Sequence, residues 1–263
     1  MLLPDPEIKM LTDTHIHLYA TEFDEDRSSL FMAAHEAGVE RFFLPNIDTA
    51  SIEPMLALEK AFPQRCFPMM GLHPCYVKDN WQEELSIVES WLRKRDFCAV
   101  GEIGIDLYWD KTYLKEQQEA FRQQIRWANE LNRPIVIHCR ESFSEIMDVL
   151  DDTPKSPTCG IFHCFSGTME QAQAIIRRGF LLGIGGVVTF KKSGLDAIVA
   201  EIPIENIVLE TDGPYLAPTP HRGKRNVPAY LRLIAEKVAE IKNISVEEVA
   251  QITTQNSRNV FGR

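Results

Sequence analysis

The sequence predicts one α/β domain spanning residues 1–263, built as a (β/α)8 TIM barrel, and three observations carry that expectation. Eight short runs of apolar, β-branched or aromatic residues recur at 10–16, 41–47, 66–72, 97–103, 134–139, 160–165, 180–186 and 206–212. Their spacing is about 30 residues, the size of one βα unit, and the stretches between them carry apolar residues at helical intervals. Residues able to bind metal or move protons fall at the C-terminal ends of at least six runs. A doubly wound open sheet is the competing arrangement, but only closure brings so many strand ends together, and a closed barrel builds its active site there.

The first run, Leu11-Thr-Asp-Thr-His15-Ile-His17, ends on two histidines at i and i+2. Successive strand side chains point to opposite faces, so His15 and His17 share one face and can grip one ion. Later runs end at Asn46, His73, Glu102, His138, His163 and Asp212. Five of the seven histidines therefore stand at strand ends, whereas His35 falls in a helix and His221 in a loop. Chance does not place them so selectively.

The intervening helices carry their own punctuation. Phe121, Ile125, Ala128 and Leu131 form an apolar stripe along 115–131, and Pro134 opens the next strand. Thr168 with Gln171 fits a capping box for 169–178, which Gly179 stops, and Ser245 with Glu248 repeats that start signal for 246–257. Pro228 suits the first turn of a helix over 228–242, where its missing N–H costs little.

Composition narrows the function. No apolar run reaches the roughly 20 residues of a membrane span, and Met1 to Met10 lacks the basic-then-apolar shape of a signal peptide, so a cytoplasmic protein is expected. The six cysteines include no C-x-x-C pair, which suits reduced thiols better than a disulfide framework or a zinc-thiolate site. A net charge of −10 argues against a broadly basic surface coating nucleic acid. A phosphate-bearing substrate would need a metal and a local basic patch.

The strand ends supply both. His15, His17, Glu102, His138, His163 and Asp212 are enough ligands for two adjacent divalent cations. Two ions roughly 3.5–4 Å apart can activate water and stabilise a leaving oxygen. Imidazole with carboxylate suits Zn, Mn, Fe or Co better than Mg, although the identity of the ion stays open. Glu102, the carboxylate in the middle of the ligand order, is expected to bridge, since a bridge needs two oxygens. Asp212 is expected to bind metal and accept the proton of the attacking water.

Around these, Glu210 shares a strand face with Asp212 and reads either as a partner to a histidine or as a buried ion-pair member, and Asp106 carries the same alternatives. Arg140, just past His138, is expected to contact an anionic substrate. The cluster His221-Arg222-Gly223-Lys224-Arg225 is the one dense basic stretch, and Arg222 and Lys224 read as a phosphate clamp on a rim loop. Ser166-Gly167 offers backbone donors for a phosphate or a plain cap. Tyr108, Trp109 and Phe165 read either as pocket wall or as platforms for a base.

The residues also resemble a known family. Asp13-Thr-His15-x-His17-Leu, Gly71-Leu-His73-Pro74, Gly101-Glu102-Ile-Gly104-Ile-Asp106-Leu-Tyr108, His138-Cys-Arg140, His163-Cys-Phe-Ser-Gly167 and Glu210-Thr-Asp212-x-Pro214 together resemble the TatD metal-dependent hydrolases. The likeness continues through Arg222-Gly-Lys224-x-Asn226 and from Asn256 to Phe261. It implies a TIM barrel related to the amidohydrolases, two divalent cations, and deoxyribonuclease activity, often 3′ to 5′ on single strands. It further implies that His15, His17, Glu102 and Asp212 hold one ion, that Glu102, His138 and His163 hold the other, and that His73 faces the substrate. The sequence departs from the family at Tyr19, where members commonly carry Asp, and at Ile16, a frequent Cys; neither change removes a ligand.

The expected function is a metal-dependent 3′ to 5′ exonuclease on single-stranded DNA, acting as a monomer with no obligate protein partner. The alternatives are an amidohydrolase-like enzyme cleaving an ester or amide, such as an aminoacyl-tRNA ester, and a metal-bound interaction module without catalysis.

Overall fold

Eight parallel strands form the centre of the computed structural model, which describes residues 10–153 and 159–262. They are β1 (Leu11–Asp13), β2 (Val39–Pro45), β3 (Cys66–Met69), β4 (Val100–Asp106), β5 (Ile135–Arg140), β6 (Gly160–Phe162), β7 (Phe180–Ile184) and β8 (Ile207–Leu209). The N-terminal stretch read for a leader lies outside the described residues, apart from Met10.

Regular ladders join β1 to β2 to β3 and β4 through β8, always in parallel. Two seams close the ring. At the first, the Met70 N–H donates to the Ala99 carbonyl at 3.2 Å and the Gly101 N–H to the Met70 carbonyl at 3.0 Å. At the second, the Thr14 N–H donates to the Leu209 carbonyl at 3.0 Å and the Asp212 N–H to the His15 carbonyl at 2.9 Å. The sheet is therefore a barrel, as the strand-end argument requires.

Nine α-helices stand among the described residues: α1 (Arg27–Glu36), α2 (Ile52–Ala61), α3 (Trp81–Lys94), α4 (Leu114–Leu131), α5 (Phe143–Asp152), α6 (Met169–Arg177), α7 (Leu195–Glu201), α8 (Leu231–Lys242) and α9 (Val246–Phe261). One follows each strand, and α9 is the addition after α8. Among the described residues no helix is long and apolar enough to cross a membrane. Both expected capping boxes are present, Thr168 with Gln171 and Ser245 with Glu248. The stretch expected as one helix over 228–242 divides instead: Val227 is extended, a 3-10 turn spans Pro228–Tyr230, and α8 starts at Leu231. At its other end the last helix runs past 257 to Phe261, until Gly262 takes a left-handed conformation, φ 66°, and ends it.

A small apolar cluster fills the barrel: Phe43, Met69, Cys98, Ala99, Val136, Ile161, Val208 and Phe261. Phe261 comes from α9 and stacks on Phe43 with ring centres 4.0 Å apart. Period-two alternation does the rest. Val136 and His138, Ile161 and His163, Val208 and Glu210 are two apart along the chain, so each of these three apolar residues is followed on the same face by a polar one.

Candidate metal centre

Glu102, on β4, stands where the two halves of the site meet, and it is buried. Its neighbour two residues on, Gly104, has φ +144°, and a Cβ there would lie 2.0 Å from the His138 carbonyl oxygen. Glycine thus lets β4 press against β5 and brings Glu102 and His138 together.

The two oxygens of Glu102 face different partners. Oε2 lies 3.1 Å from His15 Nε2 and 3.8 Å from His17 Nε2. Asp212 Oδ1 completes that group, 3.6 Å from His17 Nε2 and 3.9 Å from His15 Nε2. Oε1 lies 2.7 Å from His163 Nε2, 2.8 Å from His138 Nδ1 and 3.3 Å from His73 Nε2. These nitrogens also crowd one another, with His138 Nδ1 3.2 Å from His163 Nε2 and 3.3 Å from His73 Nε2.

This donor set fits cations. Three ring nitrogens converge on one carboxylate oxygen and on each other, and neutral imidazoles have too few N–H groups aimed there to satisfy every such contact. A tetrahedral site with metal–nitrogen bonds of about 2.0–2.1 Å separates its nitrogens by about 3.3 Å, close to the spacing here. His15, His17 and Asp212 form one candidate ligand group, His15, Glu102 and His163 a second, and His73, Glu102 and His138 a third. His73, expected to face substrate, thus lies within the cluster as well as in the cavity wall.

Electrostatics agree with the geometry. Burial opposes ionisation of Glu102, yet His163, His73 and His15 around it outweigh burial and hold its carboxyl well below the usual range. Burial likewise opposes a charge on His163, but Glu102 and Glu210 raise it well above the ordinary imidazole value. Burial lowers His15.

A further layer holds the histidines. Asp106 Oδ2 lies 2.8 Å from His138 Nε2, fixing the ring so that Nδ1 faces Glu102. Despite its burial, the bond to His138 takes the Asp106 carboxyl down to about 2. Glu210 Oε1 faces His163 Nδ1 at 3.6 Å and accepts the Cys164 N–H. Of the two alternatives for each carboxylate, both stand beside a histidine of the cluster.

Two residues were not read as contributors to the site from the sequence. The Tyr19 hydroxyl donates to the Pro45 carbonyl at 2.6 Å, leaving its oxygen to accept from His17 Nδ1 at 3.0 Å. That tautomer turns the His17 Nε2 lone pair toward Glu102 and Asp212. Asp13 accepts from the Thr211 N–H at 3.0 Å and the Thr211 hydroxyl at 2.6 Å, tying β1 to the segment carrying Asp212. Burial pushes the Asp13 carboxyl up to about 8. Its place two residues before His15 on one strand face was the available signal.

Above the cluster opens a cavity of about 1170 Å³, lined by His17, His73, Glu102, His138, His163 and Asp212 at its base, with Lys78, Arg140, Arg222 and Lys224 also in its wall. Arg140 lies over the Tyr108 ring, 3.8 Å from its centre, and Arg222 over Phe190 at 4.4 Å. Arg225 points elsewhere and pairs with Asp26. Asn46, at a strand end, serves the scaffold: its amide donates to the Gly71 carbonyl at 2.8 Å and accepts from Ser51. Phe165 is no platform, being 7% exposed and packed in the core. Ser166 lines the cavity, while the Thr168 N–H is used by Gln171 within the cap.

Known proteins show the same plan. The family model described as TatD related DNase matches residues 12–262. YabD of Bacillus subtilis, an uncharacterised metal-dependent hydrolase, is 36% identical over 253 residues, 96% of this chain and 99% of its own. The 3′-5′ ssDNA/RNA exonuclease TatD of Pantoea ananatis is 32% identical over 257 residues, 95% of this chain and 98% of its own. The crystal structure of the TatD homologue YjjV from Escherichia coli superposes with a TM-score of 0.90 at 27% identity, covering 97% of this chain and 99% of that one. The chain belongs to the TatD family of metal-dependent hydrolases.

Proposed function

We propose that the chain is a two-cation phosphodiesterase of the deoxyribonuclease type, removing nucleotides 3′ to 5′ from single-stranded DNA. The observation that carries this reading is Glu102, its Oε2 facing His15 and His17 and its Oε1 facing His138, His163 and His73, at the base of a cavity walled by Arg140, Arg222 and Lys224 in a chain of net charge −10. The name of the Pantoea relative supports the substrate and the direction.

His15, His17, Glu102 and Asp212 would hold one cation, and Glu102, His138 and His163, with His73 beside them, the other; Zn, Mn and Mg are the candidates. When bound, such a pair supplies an acidified water and neutralises charge gathering on the phosphoryl and leaving oxygens. The protein does the rest. His17 and His138 keep a lone pair aimed inward because Tyr19 and Asp106 stand behind them, and Glu210 faces the outer nitrogen of His163. Interactions with the surrounding histidines outweigh burial and lower Asp212, so it is ionised at neutral pH and can take the proton of the attacking water. Arg140, Arg222 and Lys224 hold the flanking phosphates.

We take the chain to act as one domain and as a monomer in the cytoplasm, a setting consistent with six cysteines present as thiols. The test is a gel time course of 3′-labelled and 5′-labelled single-stranded DNA with EDTA, Mg, Mn or Zn. A cation-dependent ladder shortening from the 3′ end, absent in Glu102→Ala, is expected. Intact strands with cations bound would reject the phosphodiester assignment and turn attention to esters and amides.

A further inference from the structure

Trp109 and Tyr108 stand at the cavity mouth with large apolar rings turned to solvent, 69% and 50% exposed. The rings meet edge to face, centres 4.9 Å apart. Arg140 covers the Tyr108 ring and lies 5.3 Å from the centre of Trp109. Trp109 and Arg140 both line the cavity.

The segment that carries the pair is tied down on both sides. Asp106 Oδ1 accepts the Tyr108 N–H at 2.9 Å and the Trp109 N–H at 3.2 Å. The Leu107 N–H donates to the Arg140 carbonyl at 3.0 Å. Past the rings, Asp110 accepts from Lys78 Nζ at 2.9 Å and from the Thr112 N–H at 2.8 Å. The backbone of this loop is thus fixed while the Trp109 ring stays largely exposed. The other oxygen of the same Asp106 holds His138 at the cluster. One carboxylate therefore sets the position of the aromatic pair and of a histidine where the phosphodiester would react.

We propose that Trp109, backed by Tyr108 and Arg140, is a stacking subsite for an unpaired nucleobase of the strand whose phosphodiester lies over the cluster. This rests on the nuclease reading above. A flat ring beside a guanidinium suits a base, and Lys78, Arg140, Arg222 and Lys224 around the same cavity suit the phosphates on either side of it. Stacking reads the π-face that every base has, so the subsite is tolerant of sequence. It does require a base that is free of its partner strand, so the subsite selects single-stranded ends.

The experiment compares two labelled oligonucleotides that differ only by abasic residues at the three 3′-terminal positions, with wild type, Trp109→Ala and Trp109→Phe. Expected is a roughly 5- to 150-fold loss of kcat/KM for Trp109→Ala on the base-bearing strand, most of it restored in Trp109→Phe. On the abasic strand that loss is absent. Equal losses on both strands would overturn the subsite. If wild type hydrolyses bis(p-nitrophenyl) phosphate but neither oligonucleotide, the nuclease reading fails separately. The subsite is then decided by fluorescence anisotropy of the same labelled strands with EDTA-treated protein. Tighter binding of the base-bearing strand that vanishes in Trp109→Ala supports it, and identical binding of the two strands rejects it.

Discussion

The two ends of the barrel use the same strands for opposite purposes. At one end α9 places Phe261 against Phe43, and Val136, Ile161 and Val208 fill the interior with apolar side chains. At the other, two residues further along the same faces, half-buried His138 and buried His163 and Glu210 crowd polar groups together. The apolar end gains from every contact it makes. The polar end holds imidazoles and carboxylates away from water, an arrangement unfavourable until opposite charges or a cation compensate. Stability and chemistry are thus separated by one step of strand alternation.

That contrast can be broken from either end. The largest effect is expected from Glu102→Ala, which removes the oxygen facing His15 and His17 together with the oxygen facing His138 and His163: hydrolysis should fall to background while the circular dichroism spectrum stays that of the wild type. Loss of folded structure in this variant would mean that Glu102 belongs to the scaffold. Next is Phe261→Ala, expected to cost about 3–5 kcal/mol of stability through the cavity it leaves, read as a lowered urea midpoint. The folded fraction should keep its cation affinity; a loss of both together would show that the two ends are not separable.

Smaller changes sharpen the comparison. Tyr19→Phe deletes the oxygen that accepts from His17 Nδ1 and should weaken cation binding by about tenfold, measured by titration calorimetry, with little change in melting temperature. Unchanged affinity would reduce Tyr19 to packing. The smallest effect concerns the rim. The hydrogen bond from Lys78 holds the Asp110 carboxyl at about 2, below its ordinary 3.8. A lowered folded-state value means that the pair contributes fully above the ordinary value, and the contribution disappears as pH falls through about 2. Asp110→Asn should therefore flatten the acid limb of stability against pH in that window, and an unaltered limb would exclude the pair as a contributor.

Much of this was legible in the sequence because it is local. Strand spacing, the His15 and His17 pair, and the caps at Thr168 and Ser245 depend on neighbours a few residues away. Ligand order marked Glu102 as the residue expected to bridge, and the structure sets its two oxygens toward different histidines. What stayed hidden depends on closure. Asp13 meets Thr211 across 198 positions, and Arg225 finds Asp26 across 199, which removes it from the basic cluster it seemed to share with Arg222 and Lys224 in sequence. Tyr19 read as a departure from a family pattern; its tie to His17 needs Pro45 nearby, and only the curl of β1 against β2 supplies that. Phe165 read either as wall or as platform because it follows a strand end, and its ring packs into the core.

The central claim is that one carboxylate serves two cations. Its most direct measurement is cation content per chain, by inductively coupled plasma mass spectrometry after saturation with Mn or Zn and desalting, for wild type, Asp212→Ala and Glu102→Ala. Two ions are expected in wild type, one in Asp212→Ala and none retained in Glu102→Ala. A folded Glu102→Ala protein that still carries two ions would contradict it.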